Sequence, residues 1–420
     1  MSRSYTVIPG DTFDYVARKV YGDDRKDYLI RDANPGAIGA LVLGRTLVTG
    51  TTLIIPDDPD AAGDTADAKA QAASISEVAL QVNGQRFSGW DSITITRAID
   101  TVSVAEFTAP FDPNDAQARA TFRPFSYQDV VVDVGGSRLF TGTMVNPSPA
   151  TSDRARTMGV SCYGKPGVLG DCTAPASAYP KAAWDEATLR TIASEAARFL
   201  GIGVQFDADV GAVFPRVALK PGDKILTFLS ALAAQRNLVI GDTPDGRLLF
   251  PAIVEDAKPV ADLTEGEAGP LLSVSPQFSP QDYHSHVTGI APVIIGLAGT
   301  QYTVANARLA DALRPVTFES PDMIDNDIAA SVESKTGRMF ASAIAYSIDL
   351  TTWRDPSGEL WAPNTLVTVL APGAMIYTRS TFLVRSVTLS KTANSETATL
   401  DLILPGTLAG KVPERLPWDE

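Results

Sequence analysis

Residues 380–405 read STFLVRSVTLSKTANSETATLDLILP: two runs in which apolar and polar residues alternate, joined by a short polar turn. Alternation at period two places Val387 and Leu389, then Leu400 and Leu402, on single faces of two strands, the pattern of a half-buried antiparallel hairpin. LWAPNTLVTVLAP at 360–372 precedes it and supplies a third strand. Working back, the chain from about Leu271 reads as strands, with one helical stretch near Asp322–Ala343. Strands also dominate residues 77–170. There ALQVNGQRFSGW (79–90) turns at Asn83-Gly84, and QDVVVDVGGSRLFTGTMV (128–145) turns at Gly135-Gly136, both strong hairpin signals. DSITITRAID, TVSVAEFTAP and RTMGVSCYG complete that block, with Cys162 as a small core residue.

Between the β blocks the period changes. WDEATLRTIASEAARFLG (184–201) gathers Leu189, Ile192, Ala193, Ala196 and Leu200 on one helical face and stops at Gly201. KPGDKILTFLSALAAQRNL (220–238) gathers Ile225, Leu229, Leu232 and Ala233, with Asp223 as the expected cap, and LVIGDTPDGRLLF turns at Asp245-Gly246. Two helices on a small sheet are expected. Two β blocks of similar size around this insert suggest an internal duplication.

The first 56 residues have their own pattern. In YTVIPGDTFDYVARKVYGD (5–23), Phe13, Val16, Ala17, Val20 and Tyr21 form an apolar helical stripe, capped by Asp11 or Thr12 and stopped by Gly22. A second helix, roughly 25–34, ends at Asn34-Pro35-Gly36, and GTTLIIP (50–56) closes a strand–helix–helix–strand order. DDPDAAGDTADAKAQAAS follows, acidic and without a bulky apolar residue; such a segment cannot bury enough surface to offset ordering, so 57–76 reads as a flexible linker.

Composition narrows the function classes. A chain of 420 residues exceeds one core, and 45% hydrophobic content suits globular structure. No apolar run of about eighteen residues predicts a membrane span, and MSRSYTV does not read as a signal peptide. Two cysteines are too few for a disulfide framework. A formal charge of −14 disfavours binding duplex DNA through its phosphates. His284 and His286, in QDYHSHV, would share one face of a strand as two metal ligands do, but no third ligand stands at a convincing spacing. They read as strand residues, and Glu195 and Glu333 as solvated helix residues. No nucleophile elbow, zinc-protease motif or phosphate loop occurs. The expectation is a non-enzyme with no metal and no cofactor.

The marks YTVIPGDTFDYVARKVYGD, LIRDANPG and LVTGTTLIIP resemble the LysM domain. That resemblance implies a groove for N-acetylglucosamine chains between two loops, here holding Gly10, Asp11, Thr12 and Phe13, and then Asn34, Pro35 and Ile38. The plainer reading of the same residues is a turn, a helix cap and a helix stop. DLTTWRDPSGELWAPNTLVTVLAP (349–372), with the hairpin after it and PQFSPQDYHSHVTG before it, resembles the baseplate hub proteins of contractile phage tails, the Mu-like tail protein group. The marking residues are Trp353, Gly358, Trp361, Pro363 and Asn364.

The resemblance implies an α+β, mainly β fold: a LysM module at 1–56, the linker at 57–76, and a first tube-like β-barrel hub domain at 77–170. An α/β domain at 171–265, a second tube-like β-barrel at 266–408 with a helical insertion, and a tail at 409–420 complete it. It also implies a homotrimeric ring in the virion baseplate, made in the host cytoplasm, that adapts a hexameric tail tube protein to a trimeric central spike protein. DNA would pass the lumen without specific binding. LysM would clip a sheath, wedge or tube-initiator protein, or touch peptidoglycan. The alternatives are a peptidoglycan-binding or wall-degrading tail protein, and the hub of a tailocin or contractile injection system.

Overall fold

A computed structural model describes residues 3–8, 11–21, 26–35, 47–56, 77–152, 156–266, 269–292, 299–309, 311–320, 325–413 and 415–419. The chain divides into two compact units, Met1–Glu77 and Val78–Glu420. The linker expected at 57–76 lies outside the described residues, as do Gly10, Gly22, Gly36 and Ile38.

The first unit has the expected order: β1 (Arg3–Thr6), α1 (Phe13–Tyr21), α2 (Asp27–Ala33) and β2 (Thr52–Ile55). β1 and β2 pair antiparallel, Arg3 opposite Ile55 and Thr6 opposite Thr52. Phe13, Val16 and Ala17 turn the α1 stripe inward onto Val7, Ile30, Leu47, Leu53 and Ile55. Thr12, not Asp11, caps α1: its Oγ1 accepts a hydrogen bond from the Tyr15 amide at 3.3 Å.

In the second unit, β3 (Val78–Val82), β4 (Gln85–Phe87), β5 (Ser92–Ala98), β6 (Val104–Pro110), β7 (Asp129–Val134), β8 (Ser137–Thr151) and β9 (Arg156–Gly164) make the first β block, with a short α3 (Ala116–Thr121) beside it. Both expected hairpin turns form, with positive φ at Asn83, Gly84, Gly135 and Gly136. Cys162 is fully buried, as its pattern implied.

The α/β segment contains α4 (Val168–Asp171), β10 (Ala183–Ala187), α5 (Leu189–Arg198), β11 (Val204–Phe206), β12 (Phe214–Ala218), α6 (Ile225–Ala234), β13 (Gly241–Asp242) and β14 (Leu248–Phe250). It begins earlier than the 171 boundary, because Leu169 on α4 packs into its core with Ile192, Leu229 and Phe250. Thr188 caps α5 through the Thr191 amide. Asp223 does not cap α6; its carboxylate turns back to accept from the Lys220 amide.

The second β block is β15 (Ala261–Thr264), β16 (Leu271–Phe278), β20 (Ile344–Leu350), β21 (Leu366–Ala371), β22 (Ile376–Thr392) and β23 (Glu396–Ile403). Inserted in it are β17 (His286–Ile290), β18 (Gln301–Ala305) and β19 (Pro315–Glu319), and α7 (Asp325–Ala343), whose Ile328 and Val332 pack on Val287. Within the expected C-terminal tail, Leu416 is in the main core, Trp418 packs against it, and Arg308 pairs with Asp419. His284 precedes β17, so only His286 is a strand residue and the two do not share a strand face.

The two β blocks are joined in one sheet. Thirteen strands form one sheet, with the path β16-β20-β23-β22-β5-β6-β9-β8-β7-β3-β4, and with β21 on β22 and β15 on β21. Among the described residues β4 and β16 end that path, so no ladder closes a ring. One core runs through both blocks, from Leu80, Ile95 and Phe107 to Ile348, Phe382 and Leu400. At about 1.5–3 kcal/mol per fully buried large side chain, separating the blocks there would be costly.

Candidate functional site: surfaces for assembly

The junction of the blocks is built on β22, which at seventeen residues is long enough to serve two neighbours along one edge. Its first half pairs with β21, Leu383 opposite Leu366. A bulge between Val384 and Ser386 re-aims the strand, and its second half pairs with β5, from Ser386 opposite Ala98 to Thr392 opposite Ser92. Hydroxyl pairs lie across the seam, Thr96 with Thr388 at 3.0 Å and Thr94 with Ser390 at 3.3 Å. The Arg385 guanidinium reaches Asp100 at 2.8 Å, and the Ile99 amide donates to the Arg385 carbonyl.

Beneath the seam the α/β segment is tied in. Asp242, 5% exposed, accepts from the Ser103 amide at 3.1 Å and the Ser103 hydroxyl at 2.6 Å. Burial pushes its carboxyl above the usual range, against the opposing effect of those bonds and of Arg97. A Cβ on Gly164 would collide with that carboxylate, and one on Gly241 with the Ile99 carbonyl, so both positions need glycine.

The marker residues serve the same frame. Trp353 is buried, and its indole N–H donates to the carbonyls of Ser390 and Thr397 across the β22–β23 hairpin. Trp361 donates its indole N–H to the Thr352 carbonyl and its amide to the Trp353 carbonyl. Gly358, at φ +90°, makes the turn between them, which Asp355 braces by accepting from the amides of Ser357 and Glu359. Asn364, at φ +65°, accepts from the Val254 amide and donates to the Ala252 carbonyl, tying the exit of the α/β segment to β21. Pro363 lies beside it, half-buried.

In the first unit, the residues named for a groove are largely occupied internally. Asp11 is buried, and its carboxylate accepts from the Tyr5 hydroxyl and the Ile8 amide, both at 2.9 Å. Asn34 donates to the carbonyls of Ile30 and Ile54 at 2.7 Å and accepts from the Ile54 amide at 2.8 Å. Phe13 is in the core; Thr12 is half-buried and Pro35 exposed.

No group of three His, Cys, Asp or Glu side chains placed to hold a metal occurs among the described residues. His286 contacts the Ser285 hydroxyl. Glu195, expected to be solvated, accepts from the Trp184 indole at 2.8 Å, and Glu333 accepts from the Tyr302 hydroxyl.

The family described as "Baseplate hub protein gp44-like, second domain" matches residues 166–252, the α/β segment. Baseplate hub protein gp44 of Escherichia phage Mu is 25% identical over 330 residues, which cover 74% of this chain and 83% of that protein. The 43 kDa tail protein of prophage MuSo2 from Shewanella oneidensis superposes with a TM-score of 0.69 at 25% identity, over 79% of this chain and 99% of that one. A tail protein from Neisseria meningitidis MC58 shares the fold, with a TM-score of 0.67 at 18% identity over 79% and 98% of the two chains. These similarities, in sequence and in fold together, support a phage baseplate hub.

Proposed function

We propose that the chain is the structural baseplate hub of a contractile phage tail, located in the virion. Three copies form a ring that adapts a hexameric tail tube to a trimeric central spike. The observation that carries this is the duplicated architecture. One chain holds two β bodies with the same strand order, joined edge to edge, so three copies present six similar bodies. Closed rings of identical chains fix each interface geometrically. Three copies would bring −42 of formal charge, three times −14, and acids facing the lumen would keep it from retaining the DNA that passes through.

The N-terminal unit, read as LysM, serves as a clip for a neighbouring sheath, wedge or tube-initiator protein. The internal use of Asp11 and Asn34 favours this over peptidoglycan contact, since both lie in the loops that would carry the glycan. Light scattering on the full chain and on a chain lacking residues 1–76 is the test. A mass of three copies in both supports a hub core with an accessory unit. A monomer at every concentration refutes the ring.

A further inference from the structure

Six strands of one β body correspond in order to six of the other, β4 alone having no counterpart among the described residues. The order β5-β6-β9-β8-β7-β3 in the first matches β16-β20-β23-β22-β21-β15 in the second. One bulge coincides as well: β8 shifts register against β9 between Met144 and Asn146, and β22 against β23 between Val384 and Ser386. Only the outermost pair differs in direction, β3 running antiparallel to β7 and β15 parallel to β21.

This correspondence exposes an asymmetry. In the second body the distal half of β22 is covered by β5. Its counterpart, residues 146–151 of β8, has no strand beside it on that edge among the described residues, because β7 ends opposite Thr143. Likewise β16, the counterpart of β5, pairs among the described residues only with β20. The free edges carry the matching apolar residues less buried. Val387 and Leu389 on β22 are buried, whereas Pro149 at the position of Leu389 is exposed and Pro147 half-buried. Ile93 and Ile95 on β5 are buried, whereas their counterparts Val274 and Pro276 are half-buried and exposed, and Leu272 is 58% exposed. An apolar groove of about 480 Å³ borders β16 at Phe278, Met375 and Trp418.

We propose that β16 of one copy lies antiparallel beside the distal half of β8 of a second copy, in the register that β5 and β22 adopt within the chain. This deepens, and rests on, the ring reading above. The register follows from the ladders. Thr94 lies opposite Ser390; through β6 and β20, Thr94 corresponds to Ser275, and through β9 and β23, Ser390 corresponds to Ala150. Ala150 therefore faces Ser275 of the neighbour, Pro149 faces Pro276, and Pro147 faces Phe278. A second copy is the fitting occupant because each chain leaves one edge of each kind, and those two edges are counterparts of a pair the chain already joins. Such head-to-tail contacts close into a ring when the rotation permits.

The two junctions differ in one respect. Proline is admitted to a sheet where its missing N–H would point off the edge, so Pro147, Pro149 and Pro276 remove donors from the facing edges. The seam between copies is therefore poor in backbone hydrogen bonds and held by side chains. The same prolines keep the edges from pairing with wrong partners before assembly.

The test is disulfide formation in the full chain carrying Cys172→Ser, with Ala150→Cys and Ser275→Cys combined. The within-chain counterparts, Thr94 and Ser390, have hydroxyls 3.3 Å apart, so cysteines at this register fall within bonding reach, and Thr94→Cys with Ser390→Cys is the positive control. Mild oxidation should give covalent multimers from the double variant and a covalent dimer from a mixture of the single variants. Ala150→Cys with Leu272→Cys, three positions out of register, should give none.

An oligomer by light scattering without that cross-link overturns this inference and leaves the ring standing; a monomer by light scattering overturns both. A cross-link confined to single chains would mean that the two edges meet within one copy, and also overturns it. Pro149→Thr combined with Pro276→Thr restores two donors and should slow exchange of copies roughly tenfold or more. Unchanged exchange would overturn the account of the prolines.

Discussion

Asn34 is the residue whose removal separates a structural from a ligand-binding role in the N-terminal unit. Its side-chain amide presents to Ile54 an acceptor and a donor, as the backbone of a neighbouring strand would, while β1 occupies the other edge of β2 at Ser4. A third bond, to the Ile30 carbonyl, holds the end of α2. Asn34→Ala removes all three and leaves the Ile54 amide without its partner. At a net of about 1 kcal/mol per bond, the loss is about 3 kcal/mol. A module of about 56 residues, those before the expected linker, has a stability of roughly 3–8 kcal/mol, so this is a large fraction of it. The expected fall in melting temperature is on the order of 10–20 °C.

The assay is hydrogen exchange read by mass spectrometry on the full chain, following peptides from 3–56 and from 78–420 separately. The N-terminal peptides should lose protection, most strongly around Ile54, while those from the β sheet stay unchanged. Asn34→Ala with full protection at Ile54 would refute the reasoning and return Asn34 to the list of groups free to bind a ligand.

Three further outcomes are expected. Asp242 has a carboxyl raised by burial, so the stability it contributes is complete below its ordinary range and is lost as pH rises through the raised value. Asp242→Asn should therefore flatten the pH dependence of the melting temperature above the ordinary carboxyl range, whereas Asp242→Ala should cost about 2 kcal/mol by stranding the Ser103 donors; a parallel offset of the wild-type and Asp242→Asn profiles would contradict this. Cys172 is exposed, whereas burial pushes the Cys162 thiol up to about 12, so a thiol reagent should modify one site promptly and the other only on unfolding. Trp353→Phe removes the indole donor from the Ser390 and Thr397 carbonyls and should cost about 1–3 kcal/mol in denaturant unfolding; a wild-type midpoint would show those carbonyls satisfied otherwise.

Much of the local structure was legible because local rules suffice for it. Asn83-Gly84 and Gly135-Gly136 need positive φ, and only such residues take it readily. The apolar stripe of α5 matches its buried face at Leu189, Ile192, Ala193 and Ala196, while Leu200 falls past the helix end and is half-buried. The caps were less legible: Asp11 and Asp223 both sit where a cap could form, but each found a closer partner, in Tyr5 and Ile8 and in the Lys220 amide. Glu195 reads as a solvated helix residue until Trp184, eleven positions away, is brought against it.

Periodicity, turn residues and composition determined most of the strands and the longer helices, though not α3 or α4, together with the α/β insert and the βααβ order of the first unit, because each depends on neighbours within a few positions. That the β blocks share one sheet was decided only in three dimensions. The β5–β22 ladder joins residues almost three hundred positions apart, and nothing in SITITRA or SVTLSKT names its partner. Period-two alternation states which face of a strand is buried, but both strand edges offer the same backbone groups, so edge pairing is set by tertiary geometry alone.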